Sequence, residues 1–479
     1  MEKKVVNSEF GKEHPVVAKK INEGLRISSI EGGVASVSMN LGLSYISPFA
    51  LLMNATSSQI GILHGVMELL PSIVQLMASK LIEKYKRKRI VIQSLIFQTL
   101  LWIPIILTGI LFYFKIPHMV PVLIIVVGIF YAFGGVASPV WFSWMGSMVP
   151  DSKRGKYFSK RNRISDFCGL VTIVFGAVIL DSSKKFGAST GNILEYTLVG
   201  FLILFVLAFI FRIVSILLLT KQYEPKIKIR KRDYFSFKDF LKKCPETAFG
   251  RFVLFKGFLS FAIGISNPFW TVYMLRNLGF SYSWFIAITV SGIVFQLIFL
   301  PLLGKVSDKF GNIRLLKICA SLLFLTPLLW FASSYIVNSA TLLRVYLLIV
   351  PSIVSGFAWA GYSLATNNYV YDAVSQNKRS FGLSYMNLIV GVGMFGGSMV
   401  GSLIAWLNPS FMTPILFIFL VSAFARFAVA FIGIRYLREV RHVSRFSSSY
   451  LVREFQPVQG VVREVHNLGT FVRKIEHWV

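Results

Sequence analysis

The strongest constraint on this chain is its long apolar runs. "VPVLIIVVGIFYAF" at Val120–Phe133 and "LVGFLILFVLAFIF" at Leu198–Phe211 contain no charged side chain. A helix crossing about 30 Å of hydrocarbon needs roughly 20 apolar residues. Twelve stretches meet that length, near 27–49, 57–80, 90–114, 119–149, 163–181, 194–220, 252–275, 283–303, 315–336, 342–372, 381–406 and 411–435. In lipid every backbone N–H and C=O must be paired within its own segment, so each stretch is expected to be a helix. The predicted fold class is an all-α membrane protein with twelve transmembrane helices.

Charge sets the topology. The 50 Lys and Arg outnumber the 21 Asp and Glu, and the formal net charge is +29. In a soluble chain that balance would suggest nucleic acid; here its placement argues otherwise. Bases gather in the N-terminal tail, at Lys80–Arg89, Lys153–Arg163, Lys221–Lys243, Lys305–Arg314, Lys378–Arg379 and in the C-terminal tail. The intervening loops carry few. This alternation follows the positive-inside rule, which predicts both termini in the cytoplasm and an even number of spans. A multi-pass protein of the plasma membrane, touching lipid and not nucleic acid, is the expectation. Cys168, Cys244 and Cys319 have no metal or disulfide spacing.

Two polar stretches repeat. "GKVSDKFGNIR" at Gly304–Arg314 aligns with "SKLIEKYKRKR" at Ser79–Arg89 at an offset of 225. The same offset carries Arg154 onto Arg379. "SPF" at Ser47–Phe49 matches "NPF" at Asn267–Phe269 at an offset of 220, which calls for an insertion of about four residues after "NPF". Two six-helix units are therefore expected. The predicted divisions are a tail at 1–26, bundles at 27–221 and 249–436, a linker at 222–248 and a basic tail at 437–479. Parallel repeats of this kind are a transporter architecture. In the last tail Val461, Val465, Leu468, Val472, Ile475 and Val479 recur at helical spacing, which suits an amphipathic helix on a membrane surface.

Over residues 25–436 the chain resembles the major facilitator superfamily. That family's signature, Gly-x-x-x-Asp-Arg/Lys-x-Gly-x-x-Arg/Lys, is nearly intact as Gly304, Asp308, Lys309, Gly311 and Arg314. In the first half it is worn: Ser79, Glu83 and Lys86 replace Gly, Asp and Gly. The resemblance implies two pseudo-symmetric bundles and a gating role for these residues, with Glu83 and Arg154 as their first-half counterparts. It also implies a central cavity lined by helices one, four, seven and ten. The Gly-Pro pair of the exporter subgroup is missing from helix five. Gly391, Gly393, Gly396, Gly397 and Gly401 crowd helix eleven instead, which favours close helix contact.

Candidate binding residues follow from polar stripes. Ser29, Gly33, Ser36, Asn40, Ser44 and Ser47 share one face of helix one; Lys256, Ser260, Gly264, Asn267 and Thr271 share one face of helix seven. Asn40, Ser44, Lys256, Ser260 and Asn267 are expected to bind substrate, with Trp359 and Tyr362 of helix ten. Close packing by small residues is the competing account of the Ser and Gly. Lys256 can bind an anion, pair with an acid or snorkel. His64 and Glu68 lie one turn apart in helix two, where a desolvated carboxylate and an imidazole could relay protons or lock two helices together. Glu31 lies off the stripe, toward a neighbouring helix or the cytoplasmic interface. Arg212 and Arg426 are expected to brace or snorkel. No nucleotide fingerprint occurs, so no cofactor is expected. The reading is a monomeric secondary transporter of a small molecule, with proton symport favoured through Glu68. A non-transporting sensor on the same fold is the alternative, and a membrane-embedded enzyme the lesser one, since His64 with Glu68 is thin support for catalysis.

Overall fold

Hydrocarbon leaves the backbone no partner but itself, and each apolar stretch closes into a helix. A computed structural model describes residues 15–149, 154–225, 236–336, 339–374 and 379–440. Among them are twelve helices long and apolar enough to span a membrane. They are α1 (Lys19–Leu52), α2 (Ser57–Ala78), α3 (Arg87–Tyr113), α4 (Met119–Met148), α5 (Lys156–Thr190) and α6 (Ile193–Thr220). The second set is α7 (Ala248–Asn277), α8 (Tyr282–Phe310), α9 (Asn312–Tyr335), α10 (Ala340–Ala373), α11 (Gly382–Leu407) and α12 (Pro414–Tyr436). A short helix, Phe237–Lys243, stands in the linker. No strand forms among the described residues. The amphipathic pattern at Val461–Val479 and the side chains of Glu83 and Arg154 lie outside them.

The two halves pack alike. In the first, α1 lies on α5 and α6, α2 on α4, and α3 on α4 and α6. In the second, α7 lies on α11 and α12, α8 on α10, and α9 on α10 and α12. Between the halves, α2 meets α11 and α5 meets α8, a pair of contacts that a twofold exchanges. Helix starts repeat as well: Thr56 accepts from Gln59 N before α2, and Ser281, 225 residues later, accepts from Trp284 N before α8. Gly311 closes α8 at φ +92°, a conformation that disfavours any side chain, so the glycine of the intact signature makes the expected turn.

Contacts correct the register of the repeat. Gly33 of α1 abuts Ile164 of α5, and Gly257 of α7 abuts Ile389 of α11; the offsets are 224 and 225. Phe49 meets Phe205 edge-on at 4.9 Å, and Tyr273 meets Phe419 edge-on at 5.5 Å. The true partner of Phe49 is thus Tyr273, not Phe269. The "SPF"/"NPF" match is one turn out of register, because three similar letters constrain less than two shared packing environments. Ser36 then corresponds to Ser260, Asn40 to Gly264 and Lys256 to Gly32.

Apolar burial is distributed unevenly along the membrane normal. One cluster joins both halves; it holds Phe49, Ile60 and Phe205 with Phe269, Tyr273 and Phe419. It lies toward the short turns α1–α2, α5–α6, α7–α8 and α11–α12. Toward the opposite, basic face the core divides in two. Val91, Val140 and Trp144 pack in the first half, and Phe252, Leu316 and Tyr369 in the second. Outside the bundle a belt of exposed side chains, such as Phe97, Ile125, Phe175, Leu297 and Phe424, forms the surface that hydrocarbon covers.

Candidate functional site

In the second half the candidate side chains share sectors of α7 and α10, spread along each helix. At 100° per residue, Gly257, Phe261 and Ile265 face α11, where Gly393, Gly397 and Gly401 admit their backbones. Ala262 and Ser266 face α12, through Ser422. Lys256, Ser260 and Asn267 fall in the sector between, toward the bundle interior. On α10, Gly356 faces α8 and the Tyr369 ring lies tilted against Phe252 of α7 at 4.7 Å. Trp359, Tyr362 and Thr366 occupy the intervening sector, and Trp359 meets Tyr362 edge-on at 5.6 Å. The hydroxyls of Tyr362 and Thr366, one turn apart, are buried and bond to no third group among the described residues. Ser260 is buried; Lys256, Asn267 and Trp359 are half-buried.

Lys256 is the unusual member. Its Nζ lies 3.9 Å from Met386 Sδ, a weak acceptor, and it pairs with no carboxylate among the described residues. The corresponding place in the first half holds a cation already neutralised. There Arg161 of α5 passes over Gly32, lies 3.3 Å from Glu31 Oε2 and donates to Ser28 O at 3.2 Å. It also stacks on Trp141 at 4.3 Å. Glu31 also accepts from Ser215 of α6 at 2.8 Å, so it does face a neighbouring helix. An intramembrane charge is costly unless paired, and Lys256 is the cation of the two left to find a partner.

The first-half stripe is divided in its contacts. Asn40 donates to Ser36 O at 2.9 Å, and both press on α5 at Gly169. Asn40 and Ser44 are half-buried. Ser47 is buried, and its Oγ lies 2.9 Å from His64 Nε2. Along α2, Gly61, Gly65 and Ser72 face α11, and Pro71 faces α4. Glu68 falls between these sectors and is accessible. Tyr131 of α4 lies within Coulombic range of Glu68. Lower on the same face Gln75 Oε1 accepts from Asn387 of α11 at 3.3 Å. At Gly292, the pseudo-symmetric place in α8, no atom lies within 4 Å of where a Cβ would stand.

The signature loop is built differently from expectation. Gly304 has no neighbour within 4 Å of its missing Cβ, so no helix approaches it in this structure. Asp308 is exposed and forms no ion pair with a described residue. Lys309 stacks over Phe310 at 5.7 Å, and Arg314 is half-buried. Residues beside the signature also bond. Asn312 is fully buried, accepts from Ser307 at 2.5 Å and donates to Asp372 at 2.7 Å. Glu439 accepts from Ile313 N at 2.8 Å.

On the opposite face the halves are latched by groups the sequence did not mark. Asp181 of α5 accepts from Tyr282 N at 2.9 Å and from Ser283 N at 2.8 Å, the first amides of α8. Arg276 donates to Ala55 O across the halves. Away from lipid, Arg212 and Arg426 brace their bundles. Arg212 donates to Gln98 at 2.9 Å. Arg426 donates to Leu323 O at 3.1 Å and to Ser266 Oγ at 2.8 Å. No group of three His, Cys, Asp or Glu fit for a metal occurs among the described residues.

A family model described as Major Facilitator Superfamily matches residues 32–261 and 252–465. Solved structures share the fold. A bacterial homologue of the iron transporter ferroportin, in an inward-facing state, has 14% identity and a TM-score of 0.65, covering 87% of this chain and 99% of that one. The nucleoside transporter NupG gives 14% and 0.59 over 87% and 99%. The E. coli fucose:proton symporter FucP, as a point mutant, gives 14% and 0.57 over 88% and 100%. No curated protein matches the sequence.

Proposed function

The chain belongs to the major facilitator superfamily and is an integral, multi-pass membrane protein of transport, and we propose that it carries a small solute by alternating access, driven by an ion gradient. The observation that carries this reading is the division of the core: one apolar cluster spans both halves at one face, and toward the basic face each half has its own cluster, with Leu76 and the Gln75–Asn387 bond still joining α2 to the second half. Two bundles that share one core at one end and keep separate cores at the other suit a pocket that opens to one side at a time. With the basic turns in the cytoplasm, the side where the core divides faces inward and both termini are cytoplasmic.

Lys256, Ser260, Asn267, Trp359 and Tyr362 form the solute site in this reading, with Asn40 and Ser44 opposite. An unpaired ammonium in the same half as the Trp359–Tyr362 ring pair suits an organic anion. Glu68, with His64 on Ser47, is the proton-coupling candidate. Gly304 and Asp308 would make their contacts in the other state, when the basic ends of α5 and α8 come together; Glu83 and Arg154 belong to the same closure. The test is uptake of labelled organic anions into vesicles under an imposed pH gradient. Accumulation that collapses with the gradient supports coupled transport. Ligand binding without accumulation would leave only a sensor.

A further inference from the structure

The worn copy of the signature is also a place in the fold. It turns from α2 to α3 at the basic face and walls a cavity of about 810 Å³ inside the first half. The start of α1 and the segment leaving α6 complete the wall. Six bases and two acids line it. Two of the bases are structural. Arg87 is 6% exposed, donates to Ser143 O and Pro225 O and lies 3.6 Å from Glu224. Lys88 donates to Thr220 O and Gln222 O at 2.7 Å each. These bonds, with Trp144 Nε1 on Tyr223 O at 2.9 Å, fix the segment after α6 as a rigid wall.

What remains is unsatisfied. Lys20, Lys84, Lys86 and Lys221 stand exposed at the rim and form no ion pair with a described residue. Deeper, Gln222 is 1% exposed, and neither its amide nitrogen nor its amide oxygen has a partner. A buried amide left so forfeits its bonds to water and gains none in return. It asks for a group that both accepts and donates. Four ammonium groups at the rim ask for negative charge. In the second half the same positions read Gly311, Asn312 and Ile313 where the first has Lys86, Arg87 and Lys88. There the polar groups satisfy one another: Asn312 bonds Ser307 and Asp372, and Glu439 caps Ile313.

We propose that this basic cavity binds a phosphate group carried on a polyol, the phosphate among the rim lysines and a hydroxyl against Gln222. Basic pockets at the cytoplasmic ends of membrane helices suit lipid headgroups of this chemistry, and a soluble polyol phosphate has the same groups. The loss of the signature glycine at Lys86 is then a gain: a gating turn has become an anion site.

The experiment uses the purified full-length chain. Its unfolding temperature is measured in neutral detergent with added glycerol phosphate, and in nanodiscs of phosphatidylcholine with or without phosphatidylglycerol. Stabilisation by glycerol phosphate identifies a soluble source; stabilisation by phosphatidylglycerol alone identifies the headgroup. In either case Lys84→Gln/Lys86→Gln should weaken binding about 25-fold, roughly fivefold per lysine, and added salt should weaken the wild type similarly. Lys184→Gln/Lys185→Gln, exposed on the opposite face, should bind as wild type. The proposal is overturned if neither probe stabilises the chain, or if the two double variants lose binding equally.

Discussion

Asp181 offers the sharpest test of how the halves are held. Its carboxylate takes the first two amides of α8 at 2.9 and 2.8 Å, while Ser281 takes the third. A hydrogen bond to a charged group contributes about 1.5–3 kcal/mol when buried, and a negative charge at a helix start adds about 0.3–1 kcal/mol. Asp181 is half-buried and Ser283 exposed, so water replaces part of what is lost. About 2 kcal/mol for Asp181→Ala is the reasoned value, which moves a two-state equilibrium about 30-fold. Asp181→Asn keeps one acceptor and loses the charge, so about 1 kcal/mol, or roughly fivefold, is expected. Spin labels at Ile116→Cys and Phe411→Cys, on opposite halves of that face, would report the populations in a Cys168→Ser background. The population with that face parted should rise in the order wild type, Asn, Ala. Distance distributions unchanged in Asp181→Ala would refute the latch, as would an Asn variant that moves as far as Ala.

The other predictions use different readouts. Lys256→Gln should weaken binding of an anionic solute at least roughly tenfold, because buried charge-assisted bonds are the strong ones; unchanged affinity in a binding titration removes Lys256 from the site. Glu68→Gln should abolish pH-driven accumulation in vesicles while leaving solute exchange, and accumulation that persists eliminates it as the proton carrier. Arg426→Leu removes the donor to Leu323 O and two further bonds to Ser266 Oγ and Ser422 Oγ, which keep their bond to each other, so it should cost about 1–3 kcal/mol, read as a fall in unfolding temperature; a shift near zero would show that these acceptors find other donors. Gly304→Val should leave that temperature unchanged, since nothing stands within 4 Å, yet slow transport by obstructing closure. Gly397→Ala should do the reverse, because its Cβ would strike Phe261 O and lie 2.9 Å from Ile265 N.

The interior stripes were partly legible. Lys256, Ser260 and Asn267 were found by period alone, and they share a sector of α7 apart from the faces that meet α11 and α12. Ser36 and Asn40 follow the same period, yet the structure lays them against Gly169 of α5. Periodicity says that residues share a face; it does not say which neighbour that face meets. The glycines of helix eleven gave the opposite result. Their crowding predicted close approach, and the backbone of α7 lies against Gly393, Gly397 and Gly401. Asp181 carried no signal at all, because its partners are backbone amides and every residue but proline has one.

Hydrophobic length and charge placement determined the twelve helices, and the repeated loop determined the two halves. Both follow from local rules: a backbone in lipid must bond to itself, and turns rich in lysine stay on one side. Tertiary structure alone decided that Glu31 neutralises Arg161 while Lys256 stays unpaired, and that the "SPF" match is a turn out of register. It also decided that an eroded signature encloses a cavity. Such outcomes depend on which side chains from distant segments arrive within a few ångströms of each other, and no stretch of sequence records that distance.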